Sequence, residues 1–200
     1  MRLYVDQAGT APSPRRVRLY LAEKGIDVPV ERLELPGAVR TPEFRAKNPV
    51  GTLPVLELDD GRVIAESLAI CRYFQTLHPT PPLFGVGAVE VGEVEMWTRR
   101  VEQYFYLPLD YSTGFARNPN PGWQDVSKFF GRWAGLAVGL FDQVVAQRPF
   151  LAGERLTVAD LFLYGALDYG VKLRGWVIPT ELASLRAWYE KMDARPSARA

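Results

Sequence analysis

Residues 51–74 place three kinds of binding group within one short stretch of chain. Pro54 opens an apolar run typical of a strand, and because proline cannot donate a ladder hydrogen bond it belongs at the first residue of a strand or on a sheet edge. Leu53 is then extended and can offer its own N–H and C=O to a partner outside the sheet. Glu66 supplies a carboxylate, and Ser67 is expected to be the N-cap of the helix that follows. A backbone edge, an acid and a helix N-terminus together suit a small zwitterionic peptide as ligand.

The elements that hold these groups follow from the patterns on either side of them. Two β-type runs flank Asp60-Gly61, and Asp-Gly between such runs predicts a hairpin. Upstream, Leu3–Val5 and Val28–Leu35 are predicted strands. The helix between them is expected to open at Ser13-Pro14, with the serine as N-cap and the proline as first helical residue. With a brief helix before the hairpin, the first half is predicted to be β-α-β-α-β-β-α, ending near Leu77.

The second half is predicted to be helical throughout. Three prolines within residues 79–82 break the chain, and from Ala88 onward no strand alternation is present. We therefore expect an α/β domain at 1–77, a linker at 78–87 and an all-α domain at 88–200. A long helix is expected at 123–145, with an apolar face made of Phe129, Phe130, Trp133, Leu136, Leu140 and Phe141.

Pro108, Asp160 and Cys71 are each interpreted as structural residues without a role in catalysis. The pattern at 91–107 predicts a helix that Pro108 interrupts. Thr157 and Asp160 match the spacing of a capping box, so Asp160 is expected to stabilise a helix start rather than to act in catalysis. Cys71 falls near the apolar face of a predicted helix and is interpreted as a small buried hydrophobe rather than a nucleophile.

Composition narrows the class of protein. The net charge of +1 gives no support for a nucleic-acid or acidic-membrane partner. With one cysteine and one histidine, neither an internal disulfide nor a Cys-x-x-Cys site can form, and a histidine-based metal site is not expected. No run is long enough to span a bilayer, and residues 1–6 lack the apolar stretch of a signal peptide, so we expect a soluble, cytoplasmic protein.

Four motifs, taken in their order, resemble the cytosolic glutathione S-transferase family, and in particular its yeast-type branch from bacteria and fungi. They are Ser13–Arg18, Asn48–Leu56, Glu66–Ile70 and Thr157–Asp160, and the resemblance extends over essentially the whole chain. It implies a thioredoxin-like N-terminal domain, an all-helical C-terminal domain, glutathione as co-substrate and, usually, a homodimer. It also implies that the peptide bond before Pro54 is cis.

The resemblance also assigns roles in glutathione binding. Leu53, with Pro54 behind it, is expected to hold the cysteinyl part through its backbone. Glu66 and Ser67 are expected to hold the γ-glutamyl end. Two loop cations are candidates for the glycine carboxylate, although a solvated surface charge explains each of them equally well: Lys47 and Arg40.

Ser13 is the candidate catalytic residue. Its hydroxyl could donate a hydrogen bond to the glutathione sulfur, and a hydrogen bond to a charged group contributes about 1.5–3 kcal/mol, or roughly 1–2 pKa units. That is enough to make the thiolate abundant near neutral pH, since an ordinary cysteine thiol has a pKa of about 8.5. Three alternatives stay open: Ser-Pro as a plain helix cap, the hydroxyl of Thr10 as donor, and activation by backbone groups or water.

The second substrate is expected in a cleft at the domain junction. An aromatic lining predicts small, flat, apolar electrophiles, although rings at helical spacing are also typical of a core. The candidate lining residues are Tyr104, Tyr111, Phe115, Tyr164 and Trp176.

Three other activities compete with thiolate transfer. Glutathione-dependent isomerisation is less favoured, because the maleylacetoacetate isomerase branch carries a Ser-Ser-Cys-type motif where this chain has Ala11–Pro14. Disulfide reduction is less favoured because the cysteine of reductase-type relatives is missing near Ser13. A non-catalytic, transferase-like module that binds ligands or partner proteins is less favoured because Glu66 and Ser67 are present, although binding can outlive catalysis.

Overall fold

A computed structural model describes all 200 residues, Met1–Ala200. The chain divides into two compact units. The first consists of Met1–Pro82 together with Pro196–Ala200, and the second of Leu83–Arg195. The sequence pattern assigned the last five residues to the helical domain. They lie in the first unit, where the Arg15 guanidinium donates hydrogen bonds to two carbonyls of this segment at 3.0 and 3.2 Å.

The first unit is a four-stranded sheet with helices on both faces. Its elements in chain order are β1 (Arg2–Asp6), α1 (Pro12–Lys24), β2 (Val30–Leu33), a 3-10 turn (Ala38–Arg40), α2 (Pro42–Lys47), β3 (Val55–Glu57), β4 (Val63–Ala65) and α3 (Ser67–Leu77). The strand order is β2-β1-β3-β4, with β1 parallel to β2 and β3 antiparallel to both of its neighbours. This is the predicted order of elements, and it confirms the thioredoxin-like class of the unit.

Alternation along the strands gives this sheet two apolar faces. Tyr4 and Val55 point to one face, where they pack with Phe44 of α2 in a single cluster. Leu3 and Leu56, which are fully buried, point to the opposite face. Helices α1 and α3, which contact each other, cover that face with their apolar sides. The ends of β1 and β3 are thereby fixed between two layers of helix.

The second unit is built from helices, as predicted. They are α4 (Gly87–Arg100), a π-helical segment (Val101–Tyr106), α5 (Leu107–Ala116), α6 (Gly122–Val145), α7 (Val158–Leu173) and α8 (Ala183–Asp193). The prediction that Pro108 interrupts the first helix is wrong, because the π-helical segment leads directly into α5. Pro108 is the second residue of α5, directly after the π-helical segment. None of these helices combines the length and the apolar composition needed to cross a membrane.

The side of α6 that packs inward differs from the predicted one. The buried residues of α6 are Ser127, Ala134, Ala137, Val138 and Phe141. Most of the predicted apolar face is exposed or half-buried: Phe129, Phe130, Trp133, Leu136 and Leu140. The cause is the close approach of α5, since the Ser127 hydroxyl donates to the Ser112 carbonyl at 2.9 Å and a Cβ at Gly131 would lie 3.0 Å from Ser112 Oγ. Small side chains therefore lie at the closest approach to α5, and the exposed large residues are Phe129, Trp133, Leu136 and Leu140.

Helix α7 is the buried centre of the second unit, since every residue from Val158 to Gly170 is buried. The predicted capping box at its start is confirmed. One Asp160 oxygen accepts from the Thr157 amide at 2.8 Å and from the Thr157 hydroxyl at 2.7 Å, and the other accepts from the Leu151 amide at 2.7 Å. Complete burial raises the pKa of Asp160 to about 6.

Replacing Asp160 with alanine leaves the buried amides of Leu151 and Thr157 without an acceptor. We expect the free energy of unfolding at pH 7 to fall by about 2–4 kcal/mol. Because the pKa of Asp160 is higher in the folded protein than in the unfolded chain, its stabilising contribution grows as the pH falls through about 6 towards 4. The loss should therefore be larger near pH 5 than at pH 7.

Urea unfolding followed by circular dichroism at both pH values measures this loss. Glu93→Ala, at an exposed position in α4, is the matched control and should change the free energy of unfolding by less than about 0.5 kcal/mol. A loss for Asp160→Ala that is the same at both pH values would contradict the raised pKa.

Candidate functional site

A cavity of about 290 Å³ opens in the first unit where the start of α1 meets the loop ahead of β3. Its lining residues are Ala11, Pro12, Ser13, Pro14, Leu35, Pro36, Val39, Gly51, Thr52 and Leu53. Two of the predicted site residues, Ser13 and Leu53, therefore share one cavity. Most of the wall is apolar, so the polar groups that face it are few.

Leu53 offers its backbone to this cavity. The Leu53–Pro54 peptide bond is cis, as the family resemblance implied. The ladders of β3 to both neighbours begin at Val55, so the N–H and C=O of Leu53 have no hydrogen-bond partner within the protein. The Leu53 side chain packs instead against the cluster around Phe44. This geometry allows an extended peptide to pair with the main chain at Leu53.

Buried Asn48 fixes the loop that leads to Leu53. Its side-chain amide donates to the Thr52 carbonyl at 2.9 Å, and its oxygen accepts from the Val50 amide at 3.3 Å. Gly51, between them, has φ +70, and a Cβ there would lie 2.9 Å from Cζ of Arg45. The role of Asn48 in the structure is to hold the loop.

Ser13 lies inside the first turn of α1, two positions later in the helix than the sequence predicted. The helix begins at Pro12, and its N-cap is Ala11, with φ −66 and ψ 127 and no side-chain capping bond. The Ser13 hydroxyl makes no hydrogen bond within the protein and faces the cavity. The interpretation of Ser13 as a plain helix cap is therefore wrong, because a capping hydroxyl would be committed to the backbone.

The two prolines beside Ser13 alter the donors at the helix start. A helix normally presents several free N–H groups in its first turn. Pro12 and Pro14 have none, and the Arg15 amide donates to the Ala11 carbonyl at 3.2 Å. The Ser13 amide is thus the free main-chain donor of this turn, next to the Ser13 hydroxyl.

Glu66 and Ser67 are each shifted by one position relative to the prediction. The N-cap of α3 is Glu66, and Ser67 is the buried first residue of the helix. Glu66 has φ +72 and ψ 122 and is the one non-glycine residue with positive φ in the chain. Such backbone conformations cost about 1–3 kcal/mol and are concentrated at functional sites. Neither residue lines the cavity that holds Ser13, and their roles stay predictions.

The structure does not bring Lys47 to the cavity. Its ammonium group donates to Glu57 at 2.5 Å and to the Tyr4 hydroxyl at 3.1 Å. The hydrogen bond to Glu57 raises the pKa of Lys47 above its ordinary value. Sequence reasoning missed this pair because the two residues meet only when α2 lies over β3. Arg40 is exposed at the end of its 3-10 turn and does not line the cavity either.

Arg45 is a cation near the cavity that sequence reasoning missed. Its guanidinium donates to the Pro49 carbonyl at 2.7 Å and lies beside Gly51, which lines the cavity. The available signal was its position in α2, four residues before Pro49, because a long side chain in the last turn of a helix reaches the loop that follows.

The five predicted second-substrate residues fall into three places within the second unit. Tyr104 packs against Trp133 at 6.3 Å, and Tyr111 and Phe115 lie 6.2 Å apart beside Phe130. Trp176 contacts Phe105 and lines a separate cavity of about 390 Å³ between α7 and α8. Tyr164 is only 1% exposed, and its hydroxyl donates to Asp193 at 2.7 Å.

Comparison with known proteins gives consistent family matches. The family model for the glutathione S-transferase N-terminal domain matches residues 10–77, and the model for the C-terminal domain matches residues 134–196. Glutathione S-transferase 2 of Saccharomyces cerevisiae is 38% identical to this chain. The match spans 100% of this chain and 88% of the yeast protein. The maleylacetoacetate isomerase of Pseudomonas aeruginosa is 29% identical, over 94% of this chain and 91% of its own. The crystal structure of Gtt2 from Saccharomyces cerevisiae superposes with a TM-score of 0.90 at 34% identity, covering 100% of this chain and 99% of that one.

The backbone at Glu66 leads to a stability prediction. Glycine adopts positive φ without the steric cost that Glu66 carries, so Glu66→Gly should raise the free energy of unfolding by about 1 kcal/mol. Glu66→Ala keeps a Cβ and should give no such gain. Urea unfolding of the three proteins measures the difference. A glycine variant no more stable than the alanine variant would show that the backbone at Glu66 is not strained.

Proposed function

Since the chain belongs to the glutathione S-transferase family, we propose that it binds glutathione in the first-unit cavity and transfers the glutathione thiolate to small apolar electrophiles. One observation carries the proposal. The Ser13 hydroxyl and amide and the unpaired backbone of Leu53 face the same cavity of about 290 Å³. The first pair of donors suits a thiolate, and the second suits the peptide part of the same molecule.

The contacts proposed for the tripeptide follow from its charges. Its cysteinyl part pairs with the Leu53 backbone as an added strand. Its α-ammonium group meets the Glu66 carboxylate, and its α-carboxylate meets the Ser67 hydroxyl and the free amides at the start of α3. For the glycine carboxylate we favour Arg45 over Lys47, because the Lys47 ammonium is engaged by Glu57. Exposed Arg40 is the second candidate.

Thiol activation is proposed to come from two donors on one residue. The Ser13 hydroxyl contributes about 1.5–3 kcal/mol to thiolate stability, which corresponds to roughly 1–2 pKa units. The Ser13 amide adds the field of the helix N-terminus at the same place. Since the amide is present whatever the side chain, removing the hydroxyl should weaken activation without abolishing it.

Exposed aromatic rings support apolar electrophiles as second substrates. Tyr104 and Tyr111 are exposed, and Phe115 is half-buried, so their rings offer flat apolar surface. We leave Tyr164 out of the proposed lining because its ring is buried and its hydroxyl is bound to Asp193. Conjugation of such compounds in the cytoplasm, as a detoxification step, is proposed on family membership alone.

Similarity to the Pseudomonas aeruginosa maleylacetoacetate isomerase favours isomerisation as the second candidate activity. Both activities need a glutathione thiolate, so the same cavity serves either. They differ in the second substrate, which the first-unit cavity does not define. A non-catalytic binding module is the third candidate.

The enzyme assay compares wild type, Ser13→Ala and Thr10→Ala. We expect Ser13→Ala to raise the pKa of bound glutathione by about 1–2 units and to lower kcat/KM for a generic aryl halide about 10- to 100-fold near pH 6.5. The difference should shrink towards pH 9, where unassisted glutathione is itself ionised. Thr10→Ala, the matched hydroxyl control, should match wild type.

The readouts are binding to immobilised glutathione, thiolate absorbance against pH, and initial rates with the aryl halide and with maleylacetoacetate. No binding of glutathione by wild type would overturn the proposal and favour a protein-binding module. Binding with isomerisation but no conjugation would favour the second candidate. Equal rates for wild type and Ser13→Ala would remove the hydroxyl from the mechanism.

We also propose that the protein is a homodimer that covers an apolar stripe on α6. Phe129, Trp133, Leu136 and Leu140 recur at helical spacing along the outside of this helix, and Leu136 is 79% exposed. A contiguous apolar surface of this kind is uncommon on a monomer and marks an interaction site. A second copy of the chain is the occupant that family membership favours.

Replacing Leu136 with glutamate puts a charge into this stripe. Wild type should sediment at about twice the chain mass of 22.5 kDa, and Leu136→Glu should sediment near the mass of one chain at micromolar concentration. Val177→Glu, at another exposed apolar position in the second unit, is the control and should stay dimeric. A wild-type protein that sediments as one chain would rule out the dimer.

A further inference from the structure

We infer that Asp6 is a positioning residue for Ser13, acting by anchoring the loop that connects β1 to α1. This inference rests on the proposed function, because Ser13 matters only if a thiol binds beside it. Asp6 does not line the cavity that holds Ser13, and it acts through main-chain contacts.

The anchor consists of one buried carboxylate oxygen. Asp6 is the last residue of β1 and is 3% exposed. Its Oδ2 accepts from the Thr10 amide at 2.7 Å and from the Ala11 amide at 3.0 Å. Its Oδ1 is buried and has no hydrogen-bond partner. Both anchoring bonds therefore end on a single oxygen, which ties the loop to the end of a strand that is fixed in the core.

A second contact holds the same loop from α1. The Arg18 guanidinium donates to the Gly9 carbonyl at 2.8 Å, and Gly9 has φ +68. Arg18 itself lies in the second turn of α1. The loop is thus held by Asp6 through two amides and by Arg18 through one carbonyl, and both contacts lead back to rigid elements.

The anchor reaches Ser13 because little freedom is left between them. Ala11 receives the second bond, and the next residues are Pro12, Ser13 and Pro14. Each proline fixes its own φ and restricts the residue before it, so a displacement at Ala11 is carried to Ser13. Catalytic groups must be held within about 0.5 Å of the productive geometry, and a 1 Å misplacement can cost about 100-fold in rate.

The small residue at position 11 explains why the loop is anchored by Asp6 and not by a side chain at the N-cap of α1. A helix start is usually capped by a serine, threonine, aspartate or asparagine at the N-cap itself. Here the N-cap is Ala11, which lines the cavity beside Ser13. A larger capping side chain at position 11 would occupy that space. Asp6 supplies an acceptor without entering the cavity.

Removing the charge of Asp6 and losing its anchoring bonds should shift the pKa of a thiol at the site in opposite directions. An experiment can therefore separate the two effects. A buried negative charge near a thiolate raises the pKa of the thiol, so removing the charge alone should lower it. Losing the anchor should raise it, because the donors at the start of α1 are then out of place. Asp6→Asn removes the charge but keeps one acceptor oxygen, which is all that the two amides use. Asp6→Ala removes both.

The test uses a cysteine in place of Ser13, so that no glutathione is needed. In Ser13→Cys, the reaction of the Cys thiolate with a chromogenic aromatic disulfide, followed against pH, gives the pKa of the new thiol. Cys71 does not interfere, since it is fully buried and burial raises the pKa of its thiol. Adding Asp6→Ala should raise the pKa of the new thiol by about 1 unit, which is tenfold less thiolate at a given pH. Adding Asp6→Asn should leave it unchanged or lower it.

A parallel series without the cysteine measures the pKa of bound glutathione by thiolate absorbance. Here Asp6→Ala should raise that pKa, and the rise should be smaller once Ser13 is alanine, because only the amide of residue 13 is then left for the anchor to position. Thermal unfolding checks that each variant is folded. If Asp6→Ala does not fold, Asp6→Leu repeats the test with an apolar side chain that fills the space.

The outcomes distinguish the two proposals. If Asp6→Ala and Asp6→Asn both leave the cysteine pKa at the parent value, or both lower it, Asp6 acts only as a charge or not at all and the inference is overturned. If the cysteine series behaves as expected and wild type binds no glutathione, Asp6 positions residue 13 and the proposed function fails. If the effect of Asp6→Ala on bound glutathione is just as large in Ser13→Ala, Asp6 does not position the Ser13 hydroxyl and the inference is overturned.

Discussion

Proline decides which main-chain groups of the first unit are free to meet a ligand. At Pro54 the missing N–H delays the ladder of β3 by one residue, which leaves the backbone of Leu53 unpaired. At Pro12 and Pro14 it removes two donors from the first turn of α1 and leaves the amide of Ser13. Unpaired backbone groups are costly in a folded protein, so their location beside one cavity is informative. The side chains of the site therefore supplement main-chain groups whose positions the prolines have already fixed.

The loops that carry these groups are held from behind by buried polar side chains. Asn48 holds the loop ahead of Leu53 with its amide and its carbonyl oxygen, and Asp6 holds the loop ahead of Ser13 with one carboxylate oxygen. Both are short side chains with few rotamers, and both bind main-chain groups, to which Asn48 adds a hydrogen bond to the Thr52 hydroxyl at 3.3 Å. Sites supported in this way keep their geometry although they lie on loops.

Sequence patterns predicted which helices and strands form better than they predicted the residue at which a helix begins. The β-α-β-α-β-β-α order and the Thr157–Asp160 capping box could be predicted because each rests on local signals. Ser13 was placed two helix positions too early and Ser67 one, because a helix start depends on backbone dihedral angles that neighbouring residues determine. The face of α6 was predicted wrongly because apolar periodicity does not show which of two stripes meets a neighbour. Here the close approach of α5 selected the smaller side chains.

Contacts between distant parts of the chain were beyond the reach of local patterns. Lys47 is a cation close in sequence to the predicted binding loop. Nothing near it in sequence indicates that α2 carries it over Glu57. The hydrogen bonds of Asp6 are local in sequence, to residues four and five positions later, but they depend on the loop folding back onto the end of β1. The unpaired backbone of Leu53 was predictable, because a proline at the start of a strand has only a few places in a sheet.

The first unit is discontinuous along the chain, because its last piece, Pro196–Ala200, follows the whole second unit. The ribosome must therefore complete residues 83–195 before Arg15, two positions after Ser13, can reach the carbonyls that it binds in this segment. Until then α1 lacks these contacts with Pro196–Ala200. These contacts with α1 therefore form only after the second unit has been synthesised, even though α1 itself is made before that unit.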